Sequence, residues 1–458
     1  MNFDDTIAMI ATAMSDAGIG IIRVSGKDAI KIVKRVFRPQ KEKDLEKVDS
    51  YTAHYGIIYD GKQMLDECIV LVMRGPHSYT AEDVVEIQCH GGVVLLKKIL
   101  ELIFRMGARP AEPGEFTKRA FLNGRLDLSQ AEAVMDLIHS QNEMAIDNAM
   151  KQLKGSVKDK VIKLREMILY HVAFIESALD DPEHINIEDN SERFEREIGQ
   201  CKKELERLLD TSDDGKIMQD GIKTCIVGKP NVGKSSLLNV LVGEERAIVT
   251  EVAGTTRDSL QETVLLQGIP LHIIDTAGIH DTVDIVEKIG VDRAKMWIED
   301  ADLILYVVDS SRPLEKNDEK IIELIKEKKV IVLFNKSDLE KKVDDKKIKA
   351  VFGDFVIEIS AKLEEGMDLL YEKIKEMFFQ GEISFKNEVC ITNMRHKTAL
   401  QNALESIILA EQSFKDGMPE DFLSIDLMNA YEQLGFIIGE SLEEDLVNKI
   451  FQEFCMGK

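Results

Sequence analysis

The segment Gly228-Lys-Pro-Asn-Val-Gly-Lys-Ser235 is suited to one kind of chemistry. Its glycines let successive backbone N–H groups turn inward around an anion, as a phosphate requires. Asn231, Val232 and Gly233 supply that backbone. Lys234 adds a point charge for β- and γ-phosphates, the Ser235 hydroxyl is a ligand for Mg²⁺, and Ser236 follows in the helix. Three further segments belong with it. Asp275-Thr276-Ala277-Gly278 combines an acid for a magnesium-bound water with a glycine N–H for the γ-phosphate. Asn335-Lys336-Ser337-Asp338 ends in a carboxylate whose two oxygens match the N1–H and N2–H₂ donors of guanine. Adenine lacks that donor pair, so the segment selects GTP over ATP. Ser360-Ala361-Lys362 backs the base.

Thr255-Thr256-Arg257-Asp258 stands between the phosphate loop and Asp275, where a switch segment belongs, and Thr256 would complete the Mg²⁺ shell. The residue after Gly278 is Ile279. A Ras-like enzyme carries a water-orienting Gln there, and isoleucine orients no water. No arginine stands out as a built-in finger, and Arg257 reads as a salt-bridged switch residue. Part of the hydrolytic machinery must come from elsewhere.

These segments need strands to end at them. Runs at 224–227, 271–274, 303–308, 330–334 and 355–359 read as β-strands alternating with helices, the rhythm of a doubly wound parallel sheet that binds ligands at its strand C-termini. Residues 217–378 are therefore expected to form a Ras-like P-loop GTPase domain. Residues 1–120 mix β-rich runs (20–24, 68–73, 84–89) with helices near 27–37 and 92–106, an α+β unit. Residues 121–216 and 379–458 carry helical apolar spacing, with a loop expected at 180–190. The expected fold is multidomain, α/β plus all-α: one discontinuous helical domain with the GTPase domain inserted.

Length agrees, since 458 residues at roughly 100–200 per domain make about three units. No apolar run approaches the ~20 residues of a membrane span, and Met1–Ser15 lacks a basic region before its apolar residues. A soluble cytoplasmic protein with no membrane contact is expected. Six scattered cysteines with no CxxC pair read as reduced thiols without structural zinc. A net charge of −24 opposes non-specific nucleic-acid binding, so any RNA contact needs a local basic patch. Lys27, Lys31, Lys34, Arg35 and Arg38 are a candidate; the plainer reading is the solvated face of an amphipathic helix. His90-Gly-Gly92 reads as a turn.

Several segments resemble the tRNA-modification GTPase family MnmE, also called TrmE, over essentially the whole chain. They are Gly18–Gly26, Tyr79-Thr-Ala-Glu-Asp83, Pro113–Arg125, the GTPase motifs and Cys455-Met-Gly-Lys458. The resemblance implies a homodimer formed through the N-terminal domain. It implies a flavoprotein partner, MnmG, and joint modification of the wobble uridine of tRNA to a carboxymethylaminomethyl form. It also implies a 5-formyltetrahydrofolate site at Arg23, Glu86, Arg125 and Lys458, with Arg125 standing where some members carry Lys. A potassium ion would replace the arginine finger, held by Asn231, Thr250, Val252 and Thr255, within a nucleotide-contacting loop that includes Glu251, Ala253 and Gly254. Glu287 matches the residue that acts on water; on its own it reads as a surface charge. Cys455 makes a poor prenylation tail, and the resemblance gives it a part in the modification chemistry.

Two rival functions stay open at this point. One is a regulatory ribosome-assembly GTPase without modification chemistry, against which the acidic, helical C-terminal zone counts. The other is a GTP-gated scaffold whose N-terminal domain only dimerises.

Overall fold

In the computed structural model the described residues are 5–181, 184, 191–244, 261–274, 296–379, 389–440, 444–452 and 454. The chain divides into two compact units: Met1–Met135 with Gln152–Tyr170 and Tyr431–Lys458, and Asp136–Lys151 with His171–Ala430.

The first unit is built on a seven-stranded sheet: β1 (Ile7–Ile10), β2 (Gly20–Ser25), β3 (Phe37–Pro39), β4 (Thr52–Asp60), β5 (Gln63–Met73), β6 (Val84–Cys89) and β7 (Arg109–Pro110), in the order β3-β4-β5-β6-β2-β1-β7. All neighbours are antiparallel except β1 and β7. Side chains alternate across a strand. In β5, Cys68, Val70 and Val72 are accordingly buried while Glu67 and Ile69 are exposed. The buried face packs on helices Ala29–Val36 and Val93–Arg105, close to where the sequence places them. The basic side of the first of these helices is occupied within the protein. Lys31 pairs with Asp28, Lys34 with Asp44 and Glu46, and Arg35 donates to the Met106 carbonyl. These ion pairs are exposed, as on a solvated helix face. His90 follows β6, and Asp66 accepts from its backbone N–H and meets its Nδ1 at 2.7 Å.

The second unit holds a six-stranded sheet: β8 (Ile222–Val227), β9 (Gln261–Leu266), β10 (Ile269–Ile274), β11 (Leu303–Asp309), β12 (Val330–Asn335) and β13 (Val356–Glu358), in the order β13-β12-β11-β8-β10-β9. It is parallel apart from β9, which runs antiparallel to β10. Every residue of β11 and β12 is buried, as expected for central strands covered on both faces. The doubly wound sheet is thus present, with β9 as an edge strand the sequence reading lacked.

Helix Ser191–Asp220 leads straight into β8, and helix Met394–Lys415 follows the sheet; the two pack together through Phe194 on Phe414 and Lys202 with Glu411. One helix ends at Asp180 and another begins at Ser191; most of the loop expected at 180–190 lies outside the described residues. Both chain crossings beside the sheet are held by the short helix Glu143–Leu153 and its leading residue. Asn142 donates to the Met218 carbonyl at 2.9 Å. Asn148 donates to the Cys390 carbonyl and accepts from the Cys390 N–H, as a neighbouring strand would. Asp136 accepts from Gln219 and Thr392.

Candidate functional site: a guanine-nucleotide site and an arginine-aromatic cluster

β8 ends at Val227, and the chain turns through Gly228–Gly233 into the helix Lys234–Glu244. Two positions here require glycine. A Cβ on Gly228 would lie 2.4 Å from the Val307 carbonyl, and one on Gly233 would lie 2.1 Å from the Asn335 amide; both have positive φ. Asn231 also adopts a left-handed φ of 62° and is exposed. The resulting loop opens onto a helix N-terminus, where unpaired N–H groups and the helix dipole favour an anion. Lys234 Nζ donates to the Gly228 and Lys229 carbonyls, both at 2.8 Å. Burial pulls its pKa below the ordinary lysine range, so a polyanion beside it would strengthen the charged form. Ser235 and Ser236 are exposed at the helix start, where the Ser235 hydroxyl can face a metal ion.

The base-reading segments converge on this loop. Asn335, at the end of β12, is buried; its Nδ2 donates to the Val232 carbonyl at 2.8 Å and its Oδ1 accepts from the Ala361 N–H at 3.0 Å. Lys336 reaches the Asn231 carbonyl. Asp338 is exposed, and Ser360 Oγ donates to its Oδ1 at 2.8 Å, orienting the carboxylate. Lys362 is exposed beside buried Ala361. The structure therefore joins Asn231, Val232, Gly233, Lys234, Asn335, Lys336, Asp338, Ser360 and Ala361 at the C-terminal ends of β8 and β12. Thr250–Thr256, Asp275–Gly278, Ile279, Glu287, Cys455 and Lys458 lie outside the described residues.

One group at this edge escaped the sequence reading. Asp309, ending β11, is buried and accepts from Lys336 Nζ at 2.6 Å and from the Ser311 N–H and hydroxyl. Burial would raise its pKa, but Lys336 and Ser311 outweigh that and hold the carboxyl below its ordinary value. Its only sequence signal is an acid at the end of a hydrophobic strand.

In the first unit, Arg23 on β2 and Glu86 on β6 are directly opposed and hydrogen-bonded at 2.9 Å. The Arg23 guanidinium lies over the Tyr79 and Phe116 rings, and Arg125 lies over Tyr79 and donates to its carbonyl. Arg23 Nη1 is buried without a hydrogen-bond partner. Such a donor costs ~1–3 kcal/mol unless a ligand accepts from it. Three of the four expected folate residues are thus brought together around Tyr79, which the sequence reading did not single out as a ligand.

Among the described residues, Cys68, Cys89, Cys201, Cys225 and Cys390 are buried and in no disulfide, and burial pushes Cys68, Cys89, Cys201 and Cys225 up to about 12, away from the reactive thiolate form.

A phosphate-binding loop on a doubly wound sheet, beside an oriented Asn-Lys-Ser-Asp carboxylate, defines a P-loop GTPase. The family profile described as "MnmE helical domain" matches residues 128–455, and that described as "GTP-binding protein TrmE N-terminus" matches residues 6–125. A "tRNA modification GTPase MnmE" of Lachnoclostridium phytofermentans is 54% identical over 455 residues, covering 99% of each chain. Proteins of the same description from Clostridioides difficile and Alkaliphilus metalliredigens are each 48% identical over 100% of both chains. The chain belongs to the MnmE family of tRNA modification GTPases.

Asp338→Asn is expected to weaken GTP binding and favour xanthosine triphosphate, whose C2 carbonyl suits an amide donor. The loss should be on the order of 1.5–3 kcal/mol for a charged hydrogen bond, tenfold or more in Kd. Competition titration with both nucleotides checks it, and unchanged GTP affinity would mean that the base sits elsewhere.

Proposed function

We propose that the protein uses GTP hydrolysis to drive modification of the wobble uridine of tRNA, adding a carboxymethylaminomethyl group together with the flavoprotein MnmG. The end-to-end match at 54% identity to a relative named for tRNA modification carries the reading. The protein acts as a cytoplasmic homodimer joined through its N-terminal domain, residues 1–120. Residues 121–216 and 379–458 form one helical domain carrying the GTPase domain, 217–378. The packing of helix Ser191–Asp220 on helix Met394–Lys415, on either side of the sheet in sequence, supports that arrangement. Among the described residues, no helix is long and apolar enough to cross a membrane.

In this reading Lys234 and the loop N–H groups bind the phosphates, and Asp338 fixes the guanine. Ser235, with Thr256, would hold Mg²⁺. Asn231, with Thr250, Val252 and Thr255, would hold K⁺, which supplies the positive charge an arginine finger supplies elsewhere. The exposed, left-handed Asn231 suits this role, because its side chain projects from a loop whose carbonyl Lys336 already fixes. Glu287 would orient or deprotonate the attacking water, and Cys455 would serve the modification chemistry. In the N-terminal domain, the unpaired Arg23 Nη1 suits a carboxylate or ring carbonyl of 5-formyltetrahydrofolate, and Glu86 suits its ring N–H donors. Arg125 adds charge beside Tyr79, and Lys458 would close the site.

Two measurements test the reading. Nucleoside mass spectrometry of tRNA from cells lacking the protein should show the wobble uridine unmodified, restored by the wild-type gene and not by Lys234→Ala. Normal nucleosides in the deleted strain would refute the role and favour a GTPase acting elsewhere, as in ribosome assembly. GTP turnover should be stimulated by KCl and much less by NaCl at equal ionic strength, and equal rates would remove the potassium ion from the account.

A further inference from the structure

The second residue of the phosphate loop, Lys229, is a position the loop's consensus leaves open. Here its side chain reaches toward the helix that follows β11. Its Nζ lies 2.7 Å from Asp318 Oδ2 and 3.3 Å from Glu315 Oε2, at the start of helix Lys316–Ile325. Asp318 is almost completely buried, and its other oxygen accepts from Tyr306 Oη at 3.1 Å. Tyr306 is fully buried on β11. Its neighbour Val307 faces the opposite side of the strand, and the Val307 carbonyl is the group against which Gly228 is pressed. One strand thus holds the entry of the phosphate loop by two routes: directly by backbone at Gly228, and through Tyr306, Asp318 and the Lys229 side chain.

Lys229 has a second link. Its backbone carbonyl is one of the two that receive the Lys234 ammonium. Moving Lys229 therefore moves an acceptor that sets where the phosphate-binding charge sits. The loop needs such restraint, since it contains three positive-φ residues, Gly228, Asn231 and Gly233, and gathers N–H dipoles of like orientation.

We infer that Lys229 and Asp318 are positioning residues for the nucleotide site: an ion pair between the half-buried Lys229 and the buried Asp318, fixed by Tyr306, tethers the outer side of the phosphate loop and so places Lys234. The tether touches neither nucleotide nor metal. Asp318 has a separate structural task, because its Oδ2 also accepts from the Glu315 N–H in a capping box on its own helix. Lys229 supplies no capping bond of its own but meets both capping side chains, so the helix start is monitored separately by far-ultraviolet circular dichroism.

The test rests on the nucleotide site described above, and the wild-type protein binding a fluorescent N-methylanthraniloyl GDP is its control; absent binding there would fault the site itself. Lys229→Met should speed nucleotide dissociation about tenfold, roughly the worth of one charge-assisted hydrogen bond, and should also lower the melting temperature of the nucleotide-free protein, because it leaves the buried Asp318 carboxylate without its cation. Lys229→Arg should return dissociation to within about twofold, because arginine keeps the charge and reach needed for Asp318. Asp318→Asn, which keeps an acceptor for the cap, should resemble Lys229→Met. Wild-type dissociation in Lys229→Met would overturn the inference. So would a Lys229→Arg protein as impaired as Lys229→Met, since the effect would then not come from the ion pair.

Discussion

The side-chain amide of Asn335 is the constraint on which the nucleotide site depends. It is one planar group with a donor on one side and an acceptor on the other. The donor holds the Val232 carbonyl of the phosphate loop, and the acceptor holds the Ala361 N–H of the loop behind the base. The phosphate loop is thereby fixed, within two hydrogen-bond lengths, to two segments more than a hundred residues further along the chain. The glycine at 233 exists to let that amide approach. Because Asn335 is buried, each of its partners would be left without water if it were removed, and such losses cost ~1–3 kcal/mol per group. Lys336 and Asp309 extend the same device outward, carrying it from the strand ends to the Asn231 carbonyl. Specificity for guanine and placement of the phosphates are therefore one mechanical unit.

The N-terminal unit uses the same logic with charge in place of an amide. Arg119 is fully buried and donates to Glu82, Glu115 and Asp5. Tyr79 bonds Thr117, and Asn123 donates to the Thr80 carbonyl. These contacts join the Tyr79–Asp83 and Pro113–Arg125 segments face to face. Leaving one member of such a buried ionic group unpaired costs about 3–5 kcal/mol, which makes the pairing mutually dependent. Its result is a fixed Tyr79, with Arg23 and Arg125 laid over it.

Much of this was legible in the sequence, for identifiable reasons. The central strands were readable because parallel strands buried on both faces are continuous apolar runs. The nucleotide loops were readable because phosphate and guanine each demand particular residue types at short spacing. β9 was not, since an edge strand reading Gln-Glu-Thr-Val-Leu-Leu carries no such run. β4 was missed for a related reason: its exposed side chains include Tyr55, and His54 and Gly56 interrupt its buried face. Asp309, Asp318 and the Arg119 group were invisible because their partners are remote in sequence. An acid or an arginine reads as a surface charge until the fold buries it beside its counter-ion.

Calorimetric titration of GTP into Asn335→Ala, compared with wild type, reaches the central claim most directly. If the amide unites the phosphate loop with the base-reading loops, the variant should keep its far-ultraviolet circular dichroism and lose GTP affinity by at least about tenfold, the equivalent of ~1.4 kcal/mol. Wild-type affinity in a folded Asn335→Ala protein would show that the two loops hold their places independently, and would contradict the account.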